Sequence, residues 1–292
     1  MPGSMSDSKR NVYLNGEFLP LEAARISVMD RGFLFGDGVY EVIPAYAGKL
    51  LRLHEHLKRL ENSLAGIRMS SPLERQVWEQ ILGELTSQFP GKDQSIYLQV
   101  TRGPADERNH NIPDVVTPTV FAMTSLMSPA DPEIAAHGIS AVTLDDIRWR
   151  LCNIKAITLL ANVLLKQAAK DKQAAEAILI REGQATEGAA SNLFVIESGI
   201  ISTPPKSRHL LPGITRDLVL ELARHSEIPV REEAIAEERL LSADEVWLTS
   251  STREIMPVTT IDGRPVGDGV PGPMFVRLNR LYADYKALIK RS

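Results

Sequence analysis

Lys155 stands in the run Asn153-Ile154-Lys155-Ala156-Ile157-Thr158-Leu159-Leu160, so its stem sits in apolar company. Desolvation lowers an ammonium pKa, which makes such an amine a usable nucleophile or Schiff-base partner. A lysine snorkelling from the surface fits the same spacing, and spacing alone favours it. Glu187 lies in Thr186-Glu187-Gly188-Ala189-Ala190-Ser191-Asn192, one carboxylate among small residues. Small side chains leave room for a flat ligand whose ring N–H a carboxylate can hold; a turn between two strands is the alternative. Pro212-Gly213-Ile214-Thr215-Arg216-Asp217 opens a helix, with Thr215 a candidate cap and Asp217 favourable to the dipole. Amides at such a start can cradle a phosphate, though on this motif alone an ordinary capped helix is the better account. Thr249-Ser250-Ser251-Thr252 follows an apolar strand, and hydroxyls there either bind phosphate oxygens or make a polar turn.

Other familiar motifs fail. Gly36-Asp37-Gly38 is followed by Glu41 where a dinucleotide fingerprint needs its third glycine, and no phosphate-binding G-x-x-x-x-G-K-[ST] occurs. His54-Glu55-His56 offers two imidazoles without a third ligand at zinc spacing, so it reads as the polar start of a helix, and no metal is expected. Cys152 has no flanking histidine at a known spacing and reads as a small buried hydrophobe. There is no G-x-S-x-G elbow of a hydrolase.

Composition narrows the class further. The chain has 292 residues, with 33 Lys and Arg against 37 Asp and Glu, a formal charge of −4. That mild acidity argues against a nucleic-acid binder, whose footprint is basic. A single cysteine excludes an intramolecular disulfide or a cysteine-rich zinc site. Met1 to Asn15 lacks the apolar core of a signal peptide, and no apolar run approaches the roughly 18 residues of a spanning helix. A reducing cytoplasm is the expected compartment. Pro2-Gly3-Ser4 ahead of Met5 reads as a remnant of expression and is set aside.

The elements that must position these residues are legible in outline. Val12-Tyr13-Leu14, Asn15-Gly16 and Glu17-Phe18-Leu19 read as a hairpin, and Val39 to Tyr46 as a strand resumed at Leu50 to Leu53. Leu53, Leu57, Leu60, Leu64 and Ile67 are spaced 4, 3, 4 and 3, which places them on one helical face. Leu73, Val77, Ile81, Leu85 and Phe89 repeat the pattern. Strands are expected at 96–100 and 119–125, then 139–144, 177–180, 193–196 and 245–249; helices at 157–169, 214–225 and 273–290. Ser125 to Gly138, with three Pro and Gly residues, is the best linker. The expected plan is α/β (α+β) in two domains, 1–126 and 138–292, joined by 127–137.

Several segments together resemble one family. They are Asp30 to Glu41, His56-Leu57-Lys58-Arg59-Leu60, Ile154-Lys155, Thr186 to Asn192, Gly213-Ile214-Thr215-Arg216 and Thr249 to Ile255. Their order and spacing, from about Val12 to Tyr282, resemble the class IV (fold type IV) pyridoxal-phosphate aminotransferases, and most of all the D-amino-acid aminotransferases. The resemblance implies that Lys155 holds pyridoxal 5'-phosphate through its amine and later moves the proton between substrate and cofactor. It implies that Glu187 faces the pyridine nitrogen and preserves the ring as an electron sink. Arg59 falls at the phosphate-binding arginine. Ile214 and Thr215 amides with the Ser250 and Ser251 hydroxyls complete the cradle, and Leu211 supports the ring. Most cofactor contacts then fall in the C-terminal domain, with the chemistry in a cleft between the halves.

Thr101 to His110 carries the Arg108-x-His110 pair typical of the D-amino-acid enzymes; read without the family it is a polar loop. The resemblance implies that Arg108, His110 and Tyr40 trap the substrate α-carboxylate, with Tyr97 lining the pocket. It also implies a homodimer in which Arg108 and His110 reach the partner's site. The implied activity is ping-pong transfer of an amino group from a D-amino acid such as D-alanine or D-glutamate to 2-oxoglutarate or pyruvate. Branched-chain L-amino-acid aminotransferase, (R)-amine transaminase and aminodeoxychorismate lyase are the rivals, and the Arg-x-His pair argues against all three. Lys155, Glu187 and Arg59 together argue against a non-enzymatic binding protein. Two departures stand out: the 101–108 loop is one residue longer than the pattern, and Ala189 and Ala190 replace common serines.

Overall fold

The computed structural model describes residues 10–291, so Pro2-Gly3-Ser4 lies outside the described residues. The chain divides into two compact units. One runs to Ser128 and takes in Ile154–Thr158; the other comprises Pro129–Asn153 and Leu159–Arg291.

The first unit contains β1 (Asn11–Leu14), β2 (Glu17–Pro20), α1 (Arg31–Phe35), β3 (Gly38–Tyr46), β4 (Lys49–Leu50), α2 (Leu53–Gly66), α3 (Arg75–Ser87), β5 (Gln94–Thr101) and β6 (Thr119–Leu126). Its antiparallel sheet has the order β2-β1-β6-β5-β3-β4. The Asn15-Gly16 turn links β1 to β2, both residues at positive φ. β3 pairs with β5 from Gly38 opposite Thr101 to Ala45 opposite Gln94. Alternation then sorts the side chains. Val39, Ile43 and Ala45 face α2 and α3, where Leu57, Leu60, Leu64, Trp78, Leu82 and Leu85 complete the core. Glu41 shares their parity, which carries a carboxylate into that core. The expected strand at 50–53 stops at Leu50, because Arg52 adopts positive φ and Leu53 already begins α2.

The second unit contains α4 (Pro132–His137), β7 (Ile139–Asp145), α5 (Leu160–Asp171), β8 (Glu176–Arg181), β9 (Gln184–Gly188), β10 (Asn192–Glu197), β11 (Ile200–Thr203), α6 (Ile214–His225), β12 (Val230–Glu232), β13 (Ile235–Ala236), α7 (Glu237–Ser242), β14 (Glu245–Ser250), β15 (Glu254–Ile261), β16 (Arg264–Pro265) and α8 (Pro273–Arg291). The path β10-β14-β15-β7-β8-β9 closes on itself, Asn192 pairing with Glu187. Leu193, Val195, Leu248, Val258, Ile178 and Ala185 fill this barrel. Phe194, Ile196 and Trp247 alternate outward against α6 and α8, while Leu179 and Ala177 pack against α5. Among the described residues no helix is long and apolar enough to cross a membrane.

The stretch expected as a bare linker, 127–137, holds α4. Asp131 caps it by accepting from the Glu133 amide, and Ile134 packs on the barrel core. Pro132 at the first helical turn costs nothing there, which is why a proline-rich reading missed a helix.

Candidate active site

Lys155 was expected beside the start of a helix at 157. Instead α5 begins at Leu160, and the irregular segment 154–158 meets β3 through an antiparallel bridge between Ala156 and Val39. Tyr40 donates its amide to the Lys155 carbonyl at 2.9 Å, and Ile157 donates to Gly38 at 3.1 Å. The Lys155 amide donates to Ser63 Oγ on α2 at 3.1 Å. Ile154 and Ala156 are buried in the first unit's core, and half-buried Lys155 turns the other way between them. Its Nζ lies 4.4 Å from the centre of the Tyr40 ring. Gly38 makes this approach feasible, since a Cβ there would sit 2.8 Å from the Val100 carbonyl oxygen and 3.0 Å from Ile157. Tyr40 in turn stacks on Tyr97 at 5.7 Å between ring centres, and the Tyr97 hydroxyl donates to Gln99 at 2.6 Å. Burial raises the Tyr97 phenol pKa, so it stays protonated.

Arg59 is anchored by Glu41, which accepts from Arg59 Nε at 2.7 Å and Nη2 at 2.8 Å. The same carboxylate meets His56 Nδ1 at 2.8 Å. His56, Arg59 and Ser63 recur at helical spacing on α2, all buried. His54-Glu55-His56 lies in the first turn of α2, the polar helix start that was expected, but its last member is buried at 1% exposure. Burial alone would raise the Glu41 pKa, but the Arg59 charge and the hydrogen bonds outweigh it and hold the carboxyl well below its usual range. Burial lowers the His56 pKa against the pull of Glu41, with Arg59 and Lys155 charges adding to the lowering. The imidazole is therefore neutral and carries its proton on Nδ1, since a carboxylate only accepts.

Glu187, for which a turn was the alternative reading, lies on β9. Ala185 pairs with Ile180 and Gly188 with Ile178, so β9 places Thr186 and Glu187 opposite the single residue Leu179. This bulge reverses the alternation and takes Glu187 off the barrel's inner face. Three groups then converge on the carboxylate. Arg148 Nη1 donates to Oε1 at 2.5 Å; Asn192 Nδ2 and the Leu211 amide donate to Oε2 at 3.1 and 3.0 Å. Arg148 is itself held by Asp146 at 2.8 and 2.9 Å, and Arg181 contacts that same Asp146. Burial pushes Glu187 up to about 7 despite Arg148 and the hydrogen bonds, and the nearby Asp146 charge adds to the rise. A carboxyl poised there readily exchanges a proton with a ring nitrogen.

The start of α6 differs from expectation in one respect. Gly213, not Thr215, is the cap, and no side chain caps the helix. Ile214, Thr215 and Arg216 are buried in its first turn, so their amides form a donor set suited to an anion. Gly213 has no room for a side chain, as its Cβ would fall 1.8 Å from Asn192 Oδ1. Thr249 Oγ1, at the end of β14, is buried with no partner among the described residues. Ser250 ends that strand and Ser251 opens the turn to β15, both half-buried. Leu211 is half-buried and engages Glu187 through its backbone. On the first unit, exposed Arg108 and His110 share one support: Arg108 Cζ and the His110 ring lie 5.1 Å from the Phe35 ring centre. Among the described residues no cluster of three or more His, Cys, Asp or Glu could hold a metal.

The sequence matches the family described as Amino-transferase class IV over residues 38–261. The chain belongs to the class IV aminotransferases. It is 43% identical over 263 residues to the D-alanine aminotransferase of Bacillus licheniformis, covering 90% of this chain and 92% of that protein. Against the D-alanine aminotransferase of Staphylococcus epidermidis it is 40% identical over 277 residues, covering 94% and 97%. The solved branched-chain amino acid aminotransferase of Escherichia coli superposes with a TM-score of 0.89 at 27% identity, covering 94% of each chain. For this class IV aminotransferase, the residues that sequence reasoning missed are the supporting ones: Glu41, His56, Phe35, Asp146, Arg148 and Asn192. His56-x-x-Arg59-x-x-x-Ser63 was a findable pattern, polar residues at helical spacing beside an apolar stripe. Arg148 gave no local signal, because Asp146-x-Arg148 resembles any polar turn.

Proposed function

We propose that this class IV aminotransferase moves the amino group of a D-amino acid to a 2-oxo acid by a ping-pong mechanism dependent on pyridoxal 5'-phosphate. The donor set fits that group: an amine at Lys155, a guanidinium at Arg59, an uncapped buried helix start at Gly213, the unpartnered Thr249 hydroxyl and a carboxyl near neutrality at Glu187. When bound, the cofactor supplies an aldehyde that condenses with amines and a ring that takes up the electron pair left by Cα–H cleavage. Lys155 is the amine that would hold it and the base that would carry the Cα proton. Glu187, steered by Arg148, Asn192 and Leu211, would keep the ring nitrogen protonated. Arg59, fixed by Glu41, and the amides of Ile214 and Thr215, with Ser250 and Ser251, would bind the phosphate. Leu211 would support the ring. The two-domain division expected at 1–126 and 138–292 enters the same proposal with Ile154–Thr158 counted to the first unit.

The observation that carries the substrate class is the pairing of Arg108 and His110 on one ring, which presents two anion-binding groups together. With Tyr40 they suit an α-carboxylate, and Tyr97 would line the pocket. The D-alanine aminotransferase relatives support the same reading. We propose a homodimer in which Arg108 and His110 serve the partner's site. Its support is the exposed apolar face of α5, where Leu160, Val163 and Leu164 are 72, 60 and 53% exposed. The free, buried Cys152 is in keeping with a reducing cytoplasm.

The test adds D-alanine, L-leucine and (R)-1-phenylethylamine separately to the yellow holoenzyme and follows loss of its visible absorbance. D-alanine is expected to bleach it fastest. A clear preference for L-leucine would move the assignment to the branched-chain enzymes, whose solved relative shares the fold. Lys155→Ala should abolish the visible band, and an unchanged spectrum would refute the role of Lys155.

A further inference from the structure

We propose that Arg31 and Phe35, on α1, are positioning residues that set the aim of Arg108 and His110; the proposal rests on the reading of that pair as the α-carboxylate trap. Residues 102–118, between β5 and β6, form a long stretch in neither helix nor strand. A segment of that length keeps one conformation only when something outside it supplies the hydrogen bonds.

The supply comes from residues 29–37. Met29 accepts from the Ala105 amide at 3.2 Å, the Arg31 amide donates to Gly103 at 2.9 Å, and Asp37 accepts from the Arg102 amide at 3.0 Å. Asp30 accepts from Gly32 N, Thr101 Oγ1 and Thr119 Oγ1, tying α1 to the two strands that flank the loop. These bonds fix the loop's base, at a distance along the chain from the trap.

Arg31 reaches the trap itself. Its Nε donates to Asp37 at 2.8 Å, Nη1 to the Asn109 carbonyl at 2.6 Å and Nη2 to the His110 carbonyl at 3.4 Å. Asp37 also accepts from Arg102, at 2.8 and 3.0 Å. The guanidinium is buried, although the loop it holds is exposed. A planar fork that pairs one carboxylate and two successive carbonyls fixes the backbone direction at 109–110, which a lysine's single nitrogen cannot do. Phe35 acts on the side chains. Arg31, Arg108 and His110 all lie within 4.9 to 5.1 Å of its ring centre. An exposed arginine and histidine otherwise sample many rotamers, and a shared aromatic face restricts both at once.

The test compares Arg31→Lys, Phe35→Leu and Arg108→Ala holoenzymes. Arg31→Lys and Phe35→Leu are expected to raise KM for D-alanine and for 2-oxoglutarate about tenfold, with kcat held within about twofold. Affinity for pyridoxal 5'-phosphate, followed by absorbance titration, should not change. Amide hydrogen exchange at 105–112 should accelerate in Arg31→Lys while exchange in β5 and β6 does not. A merely structural role predicts the opposite: kcat, cofactor affinity and global protection from exchange fall together, and that result would overturn the proposal. Unchanged KM in both α1 variants, with a raised KM in Arg108→Ala, overturns the positioning role alone. Unchanged KM in Arg108→Ala overturns the trap and, with it, this proposal.

Discussion

Replacing Glu41 by Gln removes one negative charge from a site that is 0% exposed. The native carboxylate accepts from three donors, Arg59 Nε, Arg59 Nη2 and His56 Nδ1. A glutamine offers one oxygen and one NH2 group, so at least one donor meets another donor. Arg59, only 5% exposed, also keeps its charge without the counter-ion. Breaking one half of a buried pair costs about 3–5 kcal/mol. At roughly 2–4 °C per kcal/mol, the thermal midpoint should fall by about 6–20 °C. The assay is thermal unfolding of cofactor-free protein with and without inorganic phosphate. Phosphate should return more stability to the variant than to the parent, because it supplies the charge Arg59 has lost. The acid limb gives a second check. Glu41 titrates below its ordinary 4.5 in the folded chain, so its contribution is full above that pH and fades as pH falls further. The gap between parent and variant should narrow below pH 4.5. A loss under about 1 kcal/mol, or a gap that widens with acid, would refute the reasoning.

The other predictions concern the second unit. Folding raises the Glu187 pKa from 4.5 to about 7, so its contribution is complete below 4.5 and lost as pH rises through 7. Glu187→Gln should flatten that part of the cofactor-free stability profile, measured by denaturant unfolding across pH; a profile that keeps the parent's slope would count against the burial argument. Val163→Lys, on the exposed α5 face, should shift the species seen by sedimentation toward monomer, and an unaltered distribution would argue that this face is not the dimer contact.

Much of the architecture was legible because periodicity is a direct record of burial. The 4-3-4-3 spacing of Leu53 to Ile67 marks α2, and Ile96, Leu98 and Val100 mark the buried face of β5. Elements that depend on tertiary partners were not legible. Pro257 argues against a central strand, yet β15 lies between β14 and β7, where barrel closure supplies what local preference does not. The bulge at Thr186 and Glu187 shows only as a register shift against Ile178 and Ile180, and no residue type announces it. At the site, Lys155 and Glu187 drew notice for their neighbours, although spacing alone left a surface lysine and a turn open, and Arg59 was reached only through the family resemblance. Glu41, Arg148 and Phe35 act through those residues or through the loop beside them, and a side chain that acts through another is visible only once both have coordinates.

The short segment Ile154–Thr158 belongs with residues to Ser128, although the chain before and after it belongs to the second unit. On the ribosome, β1 to β6 therefore emerge well before Ile154 and Ala156, two side chains of their own core. The first unit is complete only after α4 and β7 have been made, and the piece that completes it carries Lys155. Chain order thus makes this lysine a late arrival: a polypeptide interrupted before it lacks both a finished core and the amine proposed to hold the cofactor.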